Sequence, residues 1–271
     1  MNLRCWLLIV LVLLAGCSKP TVAKSGGTVL VYRLAPNQTV RLEEMALALQ
    51  QRLVASGFSD ASVTAHANGV RIELPGSGRA DVSPVKTLLT KPGQLEFLIC
   101  AERGSDDKVI GAAEDVPNGE ESAEQGYRWI RLDAKRVEPD SKMVVRKGRA
   151  GREEVLMLVD REFSITGADF REAHATVEGG VPCIAGALSA EGGHKMGYVT
   201  ANNLKKRLGI VLDGELLSAP IIQSKITDRF QLTGRFSQQE VDTIVAMLRS
   251  GTLPGRLEAE PASEEYVEPK K

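Results

Sequence analysis

The sequence predicts an α+β fold, with a βαββαβ unit at residues 27–101 and a second α+β unit at residues 102–254. Three observations predict it. Apolar, β-branched runs of strand length are interspersed with stretches of helical periodicity. Turn residues such as Asn68-Gly69, Pro92-Gly93 and Asp213-Gly214 divide them at short intervals. Beyond the N-terminus no apolar run reaches the roughly 18 residues that a membrane-crossing helix needs.

Residues 1–16 read as a lipoprotein signal peptide. Arg4 supplies a short basic region, and Trp6–Leu14 is an apolar run too short to span a bilayer. Leu14-Ala15-Gly16-Cys17 resembles the bacterial lipobox, where cleavage precedes the cysteine and its sulfur is acylated, for example with palmitate. Cys17 is therefore the expected lipid-attachment residue, with a plain signal peptide or short anchor as alternatives. The chain beyond it is expected to face the periplasm, tied to the membrane by lipid. Ser18, standing where aspartate commonly signals inner-membrane retention, leans the expectation toward the outer membrane.

Residues 17–26 form a polar linker. Thr28–Leu34 is a β-branched strand. Val40–Ser56 reads as a helix with Val40, Met45, Leu47, Leu49, Leu53 and Val54 as its apolar stripe, stopped by Gly57. Ala61–His66 and Val70–Leu74 read as a hairpin turning at Asn68-Gly69. Asp81–Leu89 is a short helix, and Gln94–Cys100 reads as the last strand. Strand, helix, strand, strand, helix, strand is the ferredoxin-like pattern.

The second unit opens on an acidic loop at 104–126, with seven acidic residues against one lysine between Ser105 and Gly126. No calcium-loop spacing is present there, so a solvated connection is expected. Tyr127–Leu132, Lys142–Lys147, Glu154–Val159, Pro182–Leu188 and Arg207–Leu212 read as strands. Ser189–Lys205 reads as a helix whose start is weakened by Gly192-Gly193. Asp213-Gly214 suits a two-residue type I′ turn into a return strand at Glu215–Ser218. Ser237–Arg249 is a helix with a Ser237/Glu240 capping box, ended by Ser250-Gly251. Residues 255–271 read as a final extended segment and a polar, mobile tail.

Composition argues against several function classes. Net charge is -1 and aromatics are 4%, so neither phosphate attraction nor base stacking points to nucleic acid. His66, His174 and His194 stand apart, outside any zinc spacing. No G-x-S-x-G, P-loop or dinucleotide fingerprint occurs. Asp213 suits its turn better than acid–base work, and Asp160 and Asp169 have no carboxylate partner in sequence. No enzyme activity, cofactor or metal is expected. Cys100 and Cys183 either pair in an oxidising envelope or stay as buried thiols.

One stretch carries a family resemblance. Thr200, Lys206–Gly214, Ser218–Pro220 and Leu248–Pro254 follow, in order, the pattern of the first periplasmic domain of SecD and SecDF. That pattern has a threonine-bearing helix, K-R-L-A-I-V-L-D-G, S-A-P and L-R-S-G-A-L-P; here Gly209 replaces the usual alanine. Ile165–Phe170 resembles the family's V-T-G-x-D-L segment. Lys24-Ser25-Gly26-Gly27 keeps only the glycines of its D-L-R-G-G. The resemblance implies a ferredoxin-like base at 27–101 and a SecD-type α+β head at 102–254. It also implies a domain that holds emerging preproteins, with export-channel components as partners. Family members continue past the position of Pro254 into a proton-driven membrane bundle that this sequence does not continue into. The expectation is thus a lipid-anchored export accessory without its own motor. The alternative is an envelope scaffold that reuses the fold for another partner. No polypeptide-binding residue is assigned at this stage.

Overall fold

The computed structural model describes residues 21–78, 82–113, 126–134, 136–148, 151–160 and 165–269. The signal segment with Cys17 and most of the acidic loop lie outside them. In chain order the elements are α1 (Val22–Ser25), β1 (Gly27–Arg33), α2 (Leu42–Ala55), β2 (Ser62–His66), β3 (Gly69–Pro75) and α3 (Ser83–Thr90). Then follow β4 (Leu95–Cys100), α4 (Asp107–Ala113), β5 (Tyr127–Leu132), β6 (Val145–Lys147), β7 (Glu153–Leu158) and β8 (Ile165–Thr166). After a 3-10 turn at Gly167–Asp169 come β9 (Phe170–Glu178), β10 (Val181–Leu188), α5 (Ala190–Asn202), β11 (Leu208–Leu212) and β12 (Glu215–Ser218). The chain closes with β13 (Arg229–Leu232), α6 (Gln238–Ser250) and β14 (Ser263–Val267).

The base is a four-stranded antiparallel sheet in the order β14-β1-β3-β2, with α2 and α3 over one face. Leu30, Tyr32, Val70, Ile72 and Leu74 point from the strands to Met45, Leu49 and Leu53 of α2 and to Val85 and Leu89 of α3. Each such fully buried aliphatic chain contributes about 1.5–3 kcal/mol. Order and strand directions are those of a βαββαβ unit, but its last strand is not the expected one. Gln94–Cys100 was the expected fourth strand; instead β14, from the tail expected to be mobile, pairs antiparallel with β1 from Gly27↔Val267 to Val31↔Ser263. The physical reason is polarity. Ser-Glu-Glu-Tyr-Val suits an edge strand exposed to water, where charges also discourage unwanted pairing. β4, by contrast, is apolar on both faces and needs cover on both. The pairing also brings the ends of the domain together: a Cβ at Gly26 would lie 2.7 Å from Pro269.

Two further readings shift. The β2–β3 loop is Ala67-Asn68, one residue earlier than expected, with Ala67 at φ 47 and His66 paired to Gly69. Gly69 belongs to the strand, where the Tyr32 carbonyl oxygen passes so close that a Cβ would meet it at 1.8 Å. On α2, Leu47 and Val54 are 60% and 47% exposed, so the buried face is Met45, Leu49, Arg52 and Leu53.

The head is inserted between α3 and β14. Its largest sheet runs β6-β7-β5-β12-β11-β4-β8, and an extra β4–β7 pairing closes β7, β5, β12, β11 and β4 into a small barrel. Leu98, Cys100, Ile130, Val155, Met157, Val211 and Leu216 fill its interior, as side chains fill any narrow barrel. Gly209 also faces inward: a Cβ there would sit 2.6 Å from Met157 Cε. On the outside, Phe97, Ile99, Ile210 and Leu217 pack against α5, α6 and a second antiparallel sheet, β13-β10-β9. β9 went unread in the sequence, although Gly179-Gly180 after it, both at positive φ, form its hairpin turn with β10. The first part of the acidic loop is helical: α4 buries Ile110 and Ala113 against Tyr127 and Trp129.

Candidate functional site

The most apolar of the larger clefts lies where head meets base. Pro84, Thr87 and Lys91 of the α3 region form one wall; Gln239, Glu240, Thr243 and Met247 of α6 form the other. Leu212 and Leu217, on either side of the Asp213-Gly214 turn, floor it together with Ile244. Its volume is about 270 Å³. The wall on α6 is set by local chemistry. Ser237 caps the helix by accepting from Glu240 N, and the Glu240 carboxylate accepts from Ser237 N at 2.9 Å. Arg136 pairs with that carboxylate at the rim. Burial alone would raise the Glu240 pKa, but the bonds from Ser237 N and Arg136 outweigh it and hold it below the usual range. Apolar floor and hydrogen-bonding rim suit an apolar side chain on an extended backbone.

Behind the cleft wall, bonded to the carbonyl of Lys91, is a residue not singled out in the sequence. Arg52 of α2 is fully buried. Its Nε donates to Ser250 Oγ at 3.1 Å, Nη1 to the Leu88 and Lys91 carbonyls, and Nη2 to the Pro92 and Gly251 carbonyls at 2.8 Å each. All donors of the guanidinium are thereby used. Burial pulls its pKa down to about 10, opposed by Asp213, so it is charged at any physiological pH. The spacing Met45, Leu49, Arg52, Leu53 was the available signal, since it places an arginine on the buried face of α2.

The residues singled out in sequence have structural duties. Asp213 takes the turn, at φ 51, and its Oδ1 accepts Gln94 N at 2.8 Å. Asp169, buried, accepts Thr166 N at 2.9 Å and Lys195 Nζ at 3.0 Å. Lys206 pairs with Asp106 at 2.9 Å and Arg207 with Asp140, so the Lys-Arg pair just before β11 ties the residue preceding α4 and the segment before β6 to the barrel. Gly192 and Gly193 let the Asp169 and Thr227 carbonyls approach α5, where a Cβ would meet them at 2.4 and 2.1 Å. Cys100 and Cys183 are both free and buried, and burial pushes the Cys100 thiol up to about 12. His66, His174 and His194 lie on β2, β9 and α5. Among the described residues no group of three His, Cys, Asp or Glu side chains is placed to hold a metal. A more polar cleft beside Asp213 and Arg256 is lined by Arg128 and Glu96, which pair at 2.9 Å, and by Glu154, which pairs with Arg146 at 3.0 Å. Among the described residues no helix is long and apolar enough to cross a membrane.

Comparison with known proteins places this arrangement. Residues 142–255 match the family model for the SecDF P1 head subdomain. The protein translocase subunit SecD of Elusimicrobium minutum is 33% identical over 210 residues, which is 76% of this chain and 42% of that protein. The crystal structure of SecDF in its super-membrane-facing form superposes with a TM-score of 0.63 at 26% identity, over 91% of this chain and 31% of that one. A structure of the membrane component SecDF that enhances protein export gives 0.57 at 25% identity, over 88% of this chain and 98% of that one. The chain thus spans less than half the length of the SecD relative it matches.

Proposed function

We propose that this chain, whose described residues form a first periplasmic domain of the SecD/SecDF type, serves protein export by holding extended polypeptide in the cleft between α3 and α6. The observation that carries the reading is the match of base and head together, over 91% of the chain, to SecDF. The chemistry of the cleft supports it. An apolar side chain would rest on Leu212, Leu217 and Ile244, while backbone groups reach Lys91, Gln239 and Thr243 at the rim. No bond is made or broken; the work is binding. We further propose that acylated Cys17 holds the protein at the membrane, facing the periplasm, where export-channel components are its partners.

A photocrosslinking amino acid at Thr243 of the intact lipidated protein tests this during export of a stalled preprotein, with Glu43 on the outer face of α2 as control. Adducts to the preprotein from Thr243 and none from Glu43 are expected. Equal labelling from both, or none from either, overturns the cleft assignment. Adducts only to other envelope proteins would support a scaffold that reuses the fold. Cys17→Ala should move the protein from the membrane fraction to the soluble periplasm.

A further inference from the structure

Because the head is an insertion in the base, the chain crosses between them twice, outward after α3 at Lys91–Gln94 and back after α6 from Gly251. The crossings touch each other, with Leu253 N donating to the Pro92 carbonyl at 3.0 Å. Arg52 reaches both. Three of its acceptors, the Leu88, Lys91 and Pro92 carbonyls, belong to the end of α3 and the outward crossing. The other two, Ser250 Oγ and the Gly251 carbonyl, belong to the end of α6 and the return crossing. One cation thus caps two helix C-termini, where unsatisfied carbonyls and the helix dipole favour positive charge. Gly93, at φ 77, is needed beside it: a Cβ there would lie 2.8 Å from Arg52 Nη2 and 3.2 Å from Met247 Cβ. Met247 in turn lines the cleft.

We propose that Arg52 is a latch that fixes the head on the base, its bonds to Ser250 and Gly251 being the ones that must break for α6 to swing away from α3. The bonds to Leu88, Lys91 and Pro92 stay with the base, so the latch opens on the head side only. Ser250 and Gly251 are the S-G of the Leu248–Pro254 segment, which gives that pair a role at the joint beyond ending a helix. The latch concerns the joint alone and stands whatever the cleft binds.

Spin labels at Glu43 on α2 and Asp242 on α6, both exposed, read the head–base distance by pulsed electron resonance in the full mature chain. The unsubstituted chain should give one narrow distance. Arg52→Gln, which keeps part of the donor set, should add a second, longer population. Ser250→Ala removes one head-side acceptor without touching the base, and should add the same longer population. Leu49→Ala, which weakens the base core without removing an acceptor of Arg52, should lower the unfolding midpoint yet leave the single distance. If Arg52→Gln does not fold, Ser250→Ala decides. A single narrow distance in folded Ser250→Ala, a second population in the unsubstituted chain, or broadening by Leu49→Ala equal to that of Ser250→Ala, would each overturn the latch.

Discussion

Gly209 and Met157 share one space inside the barrel, and replacing the glycine by alanine tests that packing. A Cβ at 209 would lie 2.6 Å from Met157 Cε, 3.1 Å from its Sδ and 3.2 Å from Leu216 Cδ1. Carbon atoms settle at about 3.5–4.0 Å, so the methionine tip must retreat by roughly 1 Å. Met157 and Leu216 are both fully buried, and the retreat has no solvent to go to. Overpacking of this kind costs about 1–3 kcal/mol. Gly209 is not at positive φ, so alanine also loses less chain entropy on folding, a gain of about 0.4–1 kcal/mol. The net expectation for Gly209→Ala is a loss of about 1 kcal/mol. Met157→Leu alone should cost less than about 1.5 kcal/mol, since it nearly conserves volume. In that background the terminal methyl is gone, and Gly209→Ala should become neutral or stabilising. Urea unfolding followed by circular dichroism, at constant m, measures each corner of the cycle. Additivity within about 0.3 kcal/mol would refute the reasoning, because the methionine would then not occupy the glycine's space. The same packing predicts that relatives with alanine at this strand position carry a side chain other than methionine opposite it.

Three other outcomes are expected. Asp106, Asp140 and Glu240 are held below their ordinary pKa values; burial opposes this, but hydrogen bonds from backbone and from Lys206, Arg207 and Arg136 prevail. Their stabilisation is therefore full above the unfolded carboxylate range of about 4–4.5 and is lost as pH falls through the lower folded values, so thermal midpoints should drop below about pH 4. Asp106→Asn should flatten that drop. Cys100 and Cys183 should resist a thiol reagent in the native protein and react together in urea; early reaction of either would contradict their burial. Removing β14 by truncation after Pro261 should strip the pairing partner from β1, lower the unfolding midpoint and raise amide exchange at Val29 and Val31 before any residue of the barrel.

Much of this fold was legible because local chemistry decides it. The Asp213-Gly214 turn, the Ser237/Glu240 box and the Gly251 stop need no distant partner, and each stands as read. What the sequence concealed depends on distant partners. β4 and β14 are both plausible strands; which one completes the base sheet depends on whether β1 or the barrel has the unfilled edge. Ser263–Val267 looks like a solvated tail until β1 is beside it. Arg52 falls outside the apolar stripe that periodicity gives α2, and Leu47 and Val54 fall within it. Only the positions of Pro92 and Gly251, 40 and 199 residues away, turn that arginine inward. The cleft was hidden for the same reason, since α3 and α6 meet only after the head has folded back.

The meeting of Gly26 with Pro269 also has a mechanical meaning. Force applied between these two points acts at one end of the β1–β14 ladder, where Gly27 faces Val267. It would peel the strands apart pair by pair instead of shearing the ladder all at once. The inserted head is off that load path, joined to the base by the two chain crossings at Arg52 and by the packing of α2 against α6. A tug on the ends would therefore strip β14 while the barrel and the cleft still felt no tension.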